Sequence, residues 1–251
     1  MTVSFEPDSG QLTLDRVSFD ALLALAAGTG PTQRGLEKTR EAGLVDGSSI
    51  HPALRTPFAA AADPIAVGRL EMRNENNSQV VVEFWVSTDA ATYLIGQPGG
   101  ELRLVSTPPD FFPVSVARLV GLSPRPTTSF QPWRMPPHLV HDLFGDDADR
   151  RATAAGTITA AIDDAPTTSY ADGLARGPWW YWTLSVRWPN TPGSDGERSL
   201  HVVDSQQGMA IMSLSDDLIA VDPTGPSEVF RLLTVILPGD EEVAFTPAPT
   251  A

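Results

Sequence analysis

The 251-residue chain contains no cysteine, which removes disulfides, thiol catalysis and cysteine metal sites together. Basic residues are scarce, with 17 Lys and Arg against 31 Asp and Glu, and Lys38 is the only lysine. The resulting formal charge of −14 excludes nucleic acid as the expected partner, because phosphate binding needs clustered cations. It also disfavours an anionic membrane surface. Long apolar runs are missing as well. The longest helical one, Ala21–Gly28 ("ALLALAAG"), is far too short to span a bilayer. The opening "MTVSFEPDSG" has neither a basic n-region nor an apolar h-region, so the expectation is a soluble, cytoplasmic protein. There is no P-loop, no G-x-G-x-x-G and no G-x-S-x-G.

What is present is a balance of 41% hydrophobic and 19% charged residues, which suits a globular domain with a sizeable core. Within it the two halves correspond. Asp89–Thr107 ("DAATYLIGQPGGELRLVST") and Asp204–Thr224 ("DSQQGMAIMSLSDDLIAVDPT") each begin with Asp and a polar turn, then give two short apolar runs separated by a second turn. An amphipathic helix follows each, at Phe111–Leu122 and Ser227–Leu237. Upstream, Val67–Met72 and Val80–Ser87 read as a hairpin around Arg73–Gln79. Trp179–Trp188 and Ser199–Asp204 read as its counterpart around Pro189–Arg198. Each half therefore predicts β-β-β-β-α after helical segments, at Phe19–Ala27, Thr32–Ala42 and Pro52–Ala62, then near Pro137–Phe144, Asp147–Ala161 and Tyr170–Arg176.

Two copies are too few for a solenoid. The expected fold is α+β, a central antiparallel sheet flanked by helices, with an internal pseudo-twofold duplication in one globular domain. Residues 1–125 form the first repeat and 126–238 the second, sharing one sheet. Pro124–Pro137, with five prolines, is the expected connector, and 239–251 the expected disordered tail.

Four of the six tryptophans fall in Gly177–Pro189, "GPWWYWTLSVRWP". Strand alternation divides it into an apolar stripe, Trp180, Trp182, Leu184, Val186 and Trp188, expected in the core, and a graded one, Trp179, Tyr181, Thr183, Ser185 and Arg187. In the first half Val81, Glu83, Trp85 and Ser87 match the second stripe. Aromatic rings rimmed by charge form a partner-binding face, unless a helix or loop of the same chain covers them.

Signals for chemistry are weak. His138 and His141 share a helix face beside Asp142, but the further ligands of a metal site are missing. Asp146-Asp147 and Asp149 suit a helix cap, Asp216-Asp217 a hairpin turn, and Asp163-Asp164 a Pro-containing loop. No catalytic residue, cofactor or metal is expected.

The stretches "LEKTREAGLVDGSSIHPALRTPFAAAADP" (Leu36–Pro64) and "LHVVDSQQGMAIMSLSDDLIAVDP" (Leu200–Pro223), with the helix after the latter, resemble the EspG family, cytoplasmic chaperones of type VII (ESX) secretion in actinobacteria. The resemblance implies a central antiparallel sheet with two helical bundles and a pseudo-twofold. It also implies a non-enzymatic role, holding the helical tip of a PPE protein within a PE–PPE pair. In such a protein the sheet and the first long hairpin loop make the contact. The partner-binding set here is then Trp179, Tyr181, Thr183, Arg187, Glu83 and Trp85 from the sheet, with Arg73 and Asn76 from the loop. Two other readings stand beside it: a carbohydrate- or small-molecule-binding protein using Trp179 and Tyr181 as a stacking platform, and a self-associating domain whose same face makes a homodimer.

Overall fold

In a computed structural model, which describes residues 3–6, 11–76, 78–125, 130–145, 147–189 and 195–243, the period-2 runs join into one large antiparallel sheet. The chain opens with β1 (Ser4–Glu6) and β2 (Gln11–Leu14). Next come helices α1 (Arg16–Ala26) and α2 (Gln33–Glu41), the small ribbon β3 (Val45–Asp46) and β4 (Ser49–Ile50), and α3 (Pro52–Ala62). The four strands β5 (Ala66–Asn74), β6 (Gln79–Val86), β7 (Ala91–Gly96) and β8 (Leu102–Thr107) lead through a 3-10 turn at Pro109–Phe111 into α4 (Phe112–Leu119). After β9 (Trp133–Met135) come α5 (Pro137–Leu143), α6 (Ala148–Ala160) and α7 (Ala165–Arg176). Then β10 (Trp179–Pro189), β11 (Asp195–Ser205), β12 (Gly208–Ser215), β13 (Leu218–Thr224) and α8 (Pro226–Thr234) complete it.

The eleven strands lie in the order β1-β2-β8-β7-β6-β5-β10-β11-β12-β13-β9. The centre is the pair β5–β10, in register from Trp180↔Asn74 to Arg187↔Val67. Outward from it the order is β6-β7-β8 on one side and β11-β12-β13 on the other. This is the expected α+β architecture, an antiparallel sheet flanked by helices. The β12–β13 hairpin closes through Asp216 and Asp217, at φ 50 and 62, the left-handed pair that a two-residue hairpin loop requires.

Local chemistry starts the helices. Asp15 caps α1, its Oδ1 accepting the Ser18 N–H at 2.8 Å, and its other oxygen pairs with Lys38 of α2. Thr32 caps α2, Asp147 caps α6 and Asp164 caps α7. Helices α4 and α8 then cover one face of the central strands, burying Leu70, Phe84, Trp182, Leu184, Val202 and their neighbours. On the opposite face α1–α3 cover the β2/β7/β8 side and α5–α7 the β11–β13 side. Between those two groups the floor formed by β5 and β10 stays open.

Several expectations change. The connector Pro124–Pro137 contains an edge strand, β9, bounded by Pro132 and Pro136, residues that cannot donate to a ladder and so suit an edge. The second long hairpin is tighter than Pro189–Arg198: β10 runs through Pro189 and β11 starts at Asp195, while 190–194 lie outside the described residues. Of the expected tail, 244–251 lie outside the described residues, but 239–243 are held. Arg198 grips Glu242 with both carboxylate oxygens at 2.6 and 2.8 Å and donates to the carbonyls of Val235 and Leu237. The short strands β1 and β2 were not expected.

Two consequences are measurable. Burial alone would raise the Asp15 pKa, but Lys38 and the Ser18 N–H outweigh it and hold it at about 2. A depressed carboxylate adds stability above its unfolded value near 3.8, and that stability is lost as pH falls through about 2. Asp15→Asn should therefore cost roughly 2 kcal/mol in denaturant unfolding at pH 7 and much less near pH 2. At Gly68, the third residue of β5, an added Cβ would lie 2.2 Å from both the Ser185 carbonyl oxygen and the Phe84 ring. Gly68→Ala should cost about 1–3 kcal/mol or more by the same assay, through displacement of β10.

Candidate functional site

The open floor is built from residues that alternate to one face of three strands. On β10 these are Tyr181, Thr183, Ser185 and Arg187; on β5, Arg73, Glu71, Arg69 and Val67 stand directly opposite them. On β6, Glu83 and Trp85 continue the row beside Arg69 and Val67. The result is a trough along the central strands, with a helical group on either side.

One end is a concavity of about 430 Å³, lined by Glu71, Arg73, Tyr181 and Thr183 from the floor and by Val140, His141 and Phe144 from the α5 side. Phe144 forms its wall because it stacks on Tyr181, with ring centroids 5.0 Å apart and planes at 23°. The Tyr181 hydroxyl lies 3.3 Å from His201 Nδ1. Burial pushes the Tyr181 pKa up and the His201 pKa down, so both groups favour their neutral forms. Arg73 reaches the Phe144 carbonyl at 3.5 Å. The other end is a shallower cleft of about 340 Å³ between Val67, Arg69, Glu83, Trp85, Ser185 and Arg187.

Charges on the floor pair with one another and with neighbouring residues of α1 and β11. Glu71 bonds Arg69 at 2.6 Å, Glu83 bonds Arg16 of α1 at 2.9 Å, and Glu197 bonds Arg187 at 3.3 Å. Four arginines thus face three glutamates here, in a chain whose overall charge is −14. Apolar surface remains at one end and one side of it: Val67, at the end of the floor, is 38% exposed, and Leu214, which is paired with the lining residue Ile219, is 71% exposed. Such a surface can hold a partner by shape, polar contacts and marginal apolar anchors.

The residues singled out from sequence meet different fates. Tyr181, Thr183, Arg187, Glu83, Trp85 and Arg73 do share the trough, although Trp85 is partly covered by Phe19 of α1, stacked at 5.4 Å. Asn76 lies in the β5–β6 turn, where Asn74 Oδ1 accepts its N–H, and Asn77 lies outside the described residues. Glu75 of the same turn accepts the Trp179 N–H at 3.2 Å, tying the loop to β10.

Trp179 is a correction: it is 1% exposed, edge-on to Phe144 beneath α5–α7, and offers no stacking surface. Trp180, assigned to the core by alternation, is a correction in the opposite sense, at 41% exposed. Alternation placed both correctly by face. At this end of β10 the helical cover lies on the Trp179 side and not on the Trp180 side. His141 and Phe144 were missed as lining residues, and only the three-dimensional docking of α5 brings them there. Among the described residues no group of three or more His, Asp or Glu is placed to hold a metal ion, and no helix is long and apolar enough to cross a membrane.

No family model and no curated protein matches the chain. Among solved structures it is similar to the type VII secretion system chaperone EspG5 of Mycobacterium tuberculosis, in a complex with a PE25-PPE41 dimer. The TM-score is 0.62 at 13% identity, covering 93% of this chain and 100% of that one. At that identity the likeness establishes a shared fold.

The exchanged tryptophans give a direct test. Trp179→Ala should cost about 3–5 kcal/mol in chemical unfolding, as a large aromatic lost from a core. Trp180→Ala should cost about 1 kcal/mol or less.

Proposed function

We propose that the chain is a non-enzymatic chaperone or adaptor that binds an apolar helical segment of a PE–PPE-type secretion substrate in the trough. The observation that carries this reading is the open floor of β5 and β10 between two helical groups, on a fold shared with a chaperone solved with a PE–PPE dimer. A helix end fits such a trough: its apolar side chains meet Leu214, Val67 and the Tyr181–Phe144 wall, while its polar groups meet the arginine–glutamate floor. Shielding an apolar tip of this kind before export would keep the substrate soluble, and places the work in the cytoplasm. We read the two halves, 1–125 and 126–238, as diverged copies in one domain. The support is the strand order, which runs outward from β5–β10 through three successive hairpin strands on each side, and the placement of one helix, α4 or α8, after each set.

The test is co-expression with a PE–PPE pair, followed by affinity capture and a solubility measurement on the PPE chain. The pair should co-purify. Thr183→Arg, which fills the floor, and Leu214→Asp, which charges the margin, should each reduce capture at least ~10-fold, while Trp180→Ala on the opposite face leaves it unchanged. Capture that is indifferent to both trough substitutions would refute the reading.

A further inference from the structure

The cleft of about 340 Å³ at the Val67 end of the trough has a charge balance opposite to that of the whole chain. Arg69 of β5 and Arg187 of β10 line it, with Glu83 as its one lining carboxylate. The register sets Ser185 against Arg69 and Arg187 against Val67, so the two arginines are diagonal neighbours on one face. Their Cα atoms are then about 7–8 Å apart, a gap that long side chains can span. Both are exposed, Arg69 at 51% and Arg187 at 66%. Arg69 is ion-paired through Nε to Glu71 at 2.6 Å and Arg187 through Nε to Glu197 at 3.3 Å. Neither of those glutamates lines the cleft. Glu83, which does, is bound to Arg16 of α1 at 2.9 Å. The Nη groups of Arg69 and Arg187 donate no hydrogen bond to any described residue, although a guanidinium carries five N–H donors.

We propose that this cleft reads an acidic residue of the bound helical segment, an Asp or Glu whose carboxylate bridges the Nη groups of Arg69 and Arg187. The proposal rests on the trough being the substrate site. Charge selects an acid. In the lining two cations face one carboxylate, and Arg16 already engages that carboxylate, in a chain that carries −14 overall. The two arginines repel each other across the strand pair, and a carboxylate held between them removes that repulsion. Charge-assisted bonds from two planar guanidinium groups hold it in one geometry. A Lys or Arg at the same position would meet the guanidinium groups head on. Val67, 38% exposed beside Arg187, packs against the methylenes of the acidic side chain. The concavity at the other end of the trough is lined by one Glu71 and one Arg73 and has no such excess of cations. The acid therefore also fixes which way the segment lies along the floor.

The full chain, co-expressed with a PE–PPE pair and tested by affinity capture, carries the experiment. Arg69→Gln combined with Arg187→Gln should lower capture at least ~10-fold. Exposed ion pairs add little stability, so this variant should unfold at nearly the wild-type temperature by circular dichroism. On the substrate, each Asp and Glu of the PPE helical tip is replaced in turn by Asn or Gln. One of these substitutions should weaken capture as much as the arginine variant does. It should cause no further loss when the two are combined, as a shared contact requires. Arg187→Glu should also weaken capture, and Arg at that one substrate position should recover it. Capture that is lost with Thr183→Arg and Leu214→Asp but unmoved by the arginine substitutions overturns this proposal and leaves the trough reading standing. A tip on which every acidic residue can be replaced without effect does the same. Capture indifferent to Thr183→Arg and Leu214→Asp refutes the trough reading, and this proposal with it.

Discussion

The pairing of β5 with β10 is the contact on which the rest of the molecule depends. It joins strands from the two halves of the chain over eight residue pairs, and it is covered by helices on one face only. On that face Leu70, Met72, Trp182, Leu184 and Val186 interlock beneath α4 and α8. Each such side chain contributes roughly 1.5–3 kcal/mol on burial, enough to fix the register without cover on the other side. Because the side-chain period is two, a one-residue slip would turn this apolar set into the trough and bring Arg69, Glu71 and Thr183 into the core. The polar floor is therefore a consequence of the same register that builds the core.

The lateral helices follow from the same constraint. The flanking strands carry apolar residues on the trough face, Leu94 and Leu104 on one side and Val203, Ala210 and Val221 on the other, and these demand cover. The central strands carry Thr183, Ser185, Arg69 and Glu71 there and demand none. Two helical groups separated by an uncovered strip are the packing solution to that distribution. Aromatic contacts seal each group to its margin: Phe19 on Trp85 on one bank, Phe144 on Trp179 and Tyr181 on the other.

Much of this was legible in the chain. The alternation of Val80–Val86 and of Trp180–Trp188 gave the central strands and their faces, and Asp147 marked the start of α6. Asp164, read as part of a loop, instead caps α7, which begins at Ala165 and not at Tyr170. The failures share one cause. Period-2 patterning reports which face a residue occupies, whereas burial depends on what docks on that face, often from far along the chain. Trp179 and Trp180 exchanged roles because Phe144 lies over one while the other stays 41% exposed. The α5-side wall of the trough was illegible for the same reason, since His141 and Phe144 sit about 40 positions before Tyr181 in the chain. Strand β9 was hidden by the prolines that protect it as an edge, and β1 and β2 were too short to show a period.

The division of labour within the trough follows from where its polar and apolar atoms fall. The centre is occupied by ion pairs that are largely exposed and screened, so they add little to the stability of the fold. They are better suited to discriminating among ligands, since a wrongly charged group placed against Arg69, Glu71 or Arg187 meets repulsion and an unsatisfied pair. In the proposed role affinity comes from the apolar surface around that strip: Val67 at one end of the floor, Tyr181 at the other, and Leu214 at the side. In the proposed role, a bound segment has to bring apolar side chains to these surfaces while its polar groups meet the ion-paired strip. A rigid helix does so with its geometry already fixed, whereas a flexible chain would lose conformational entropy to do the same.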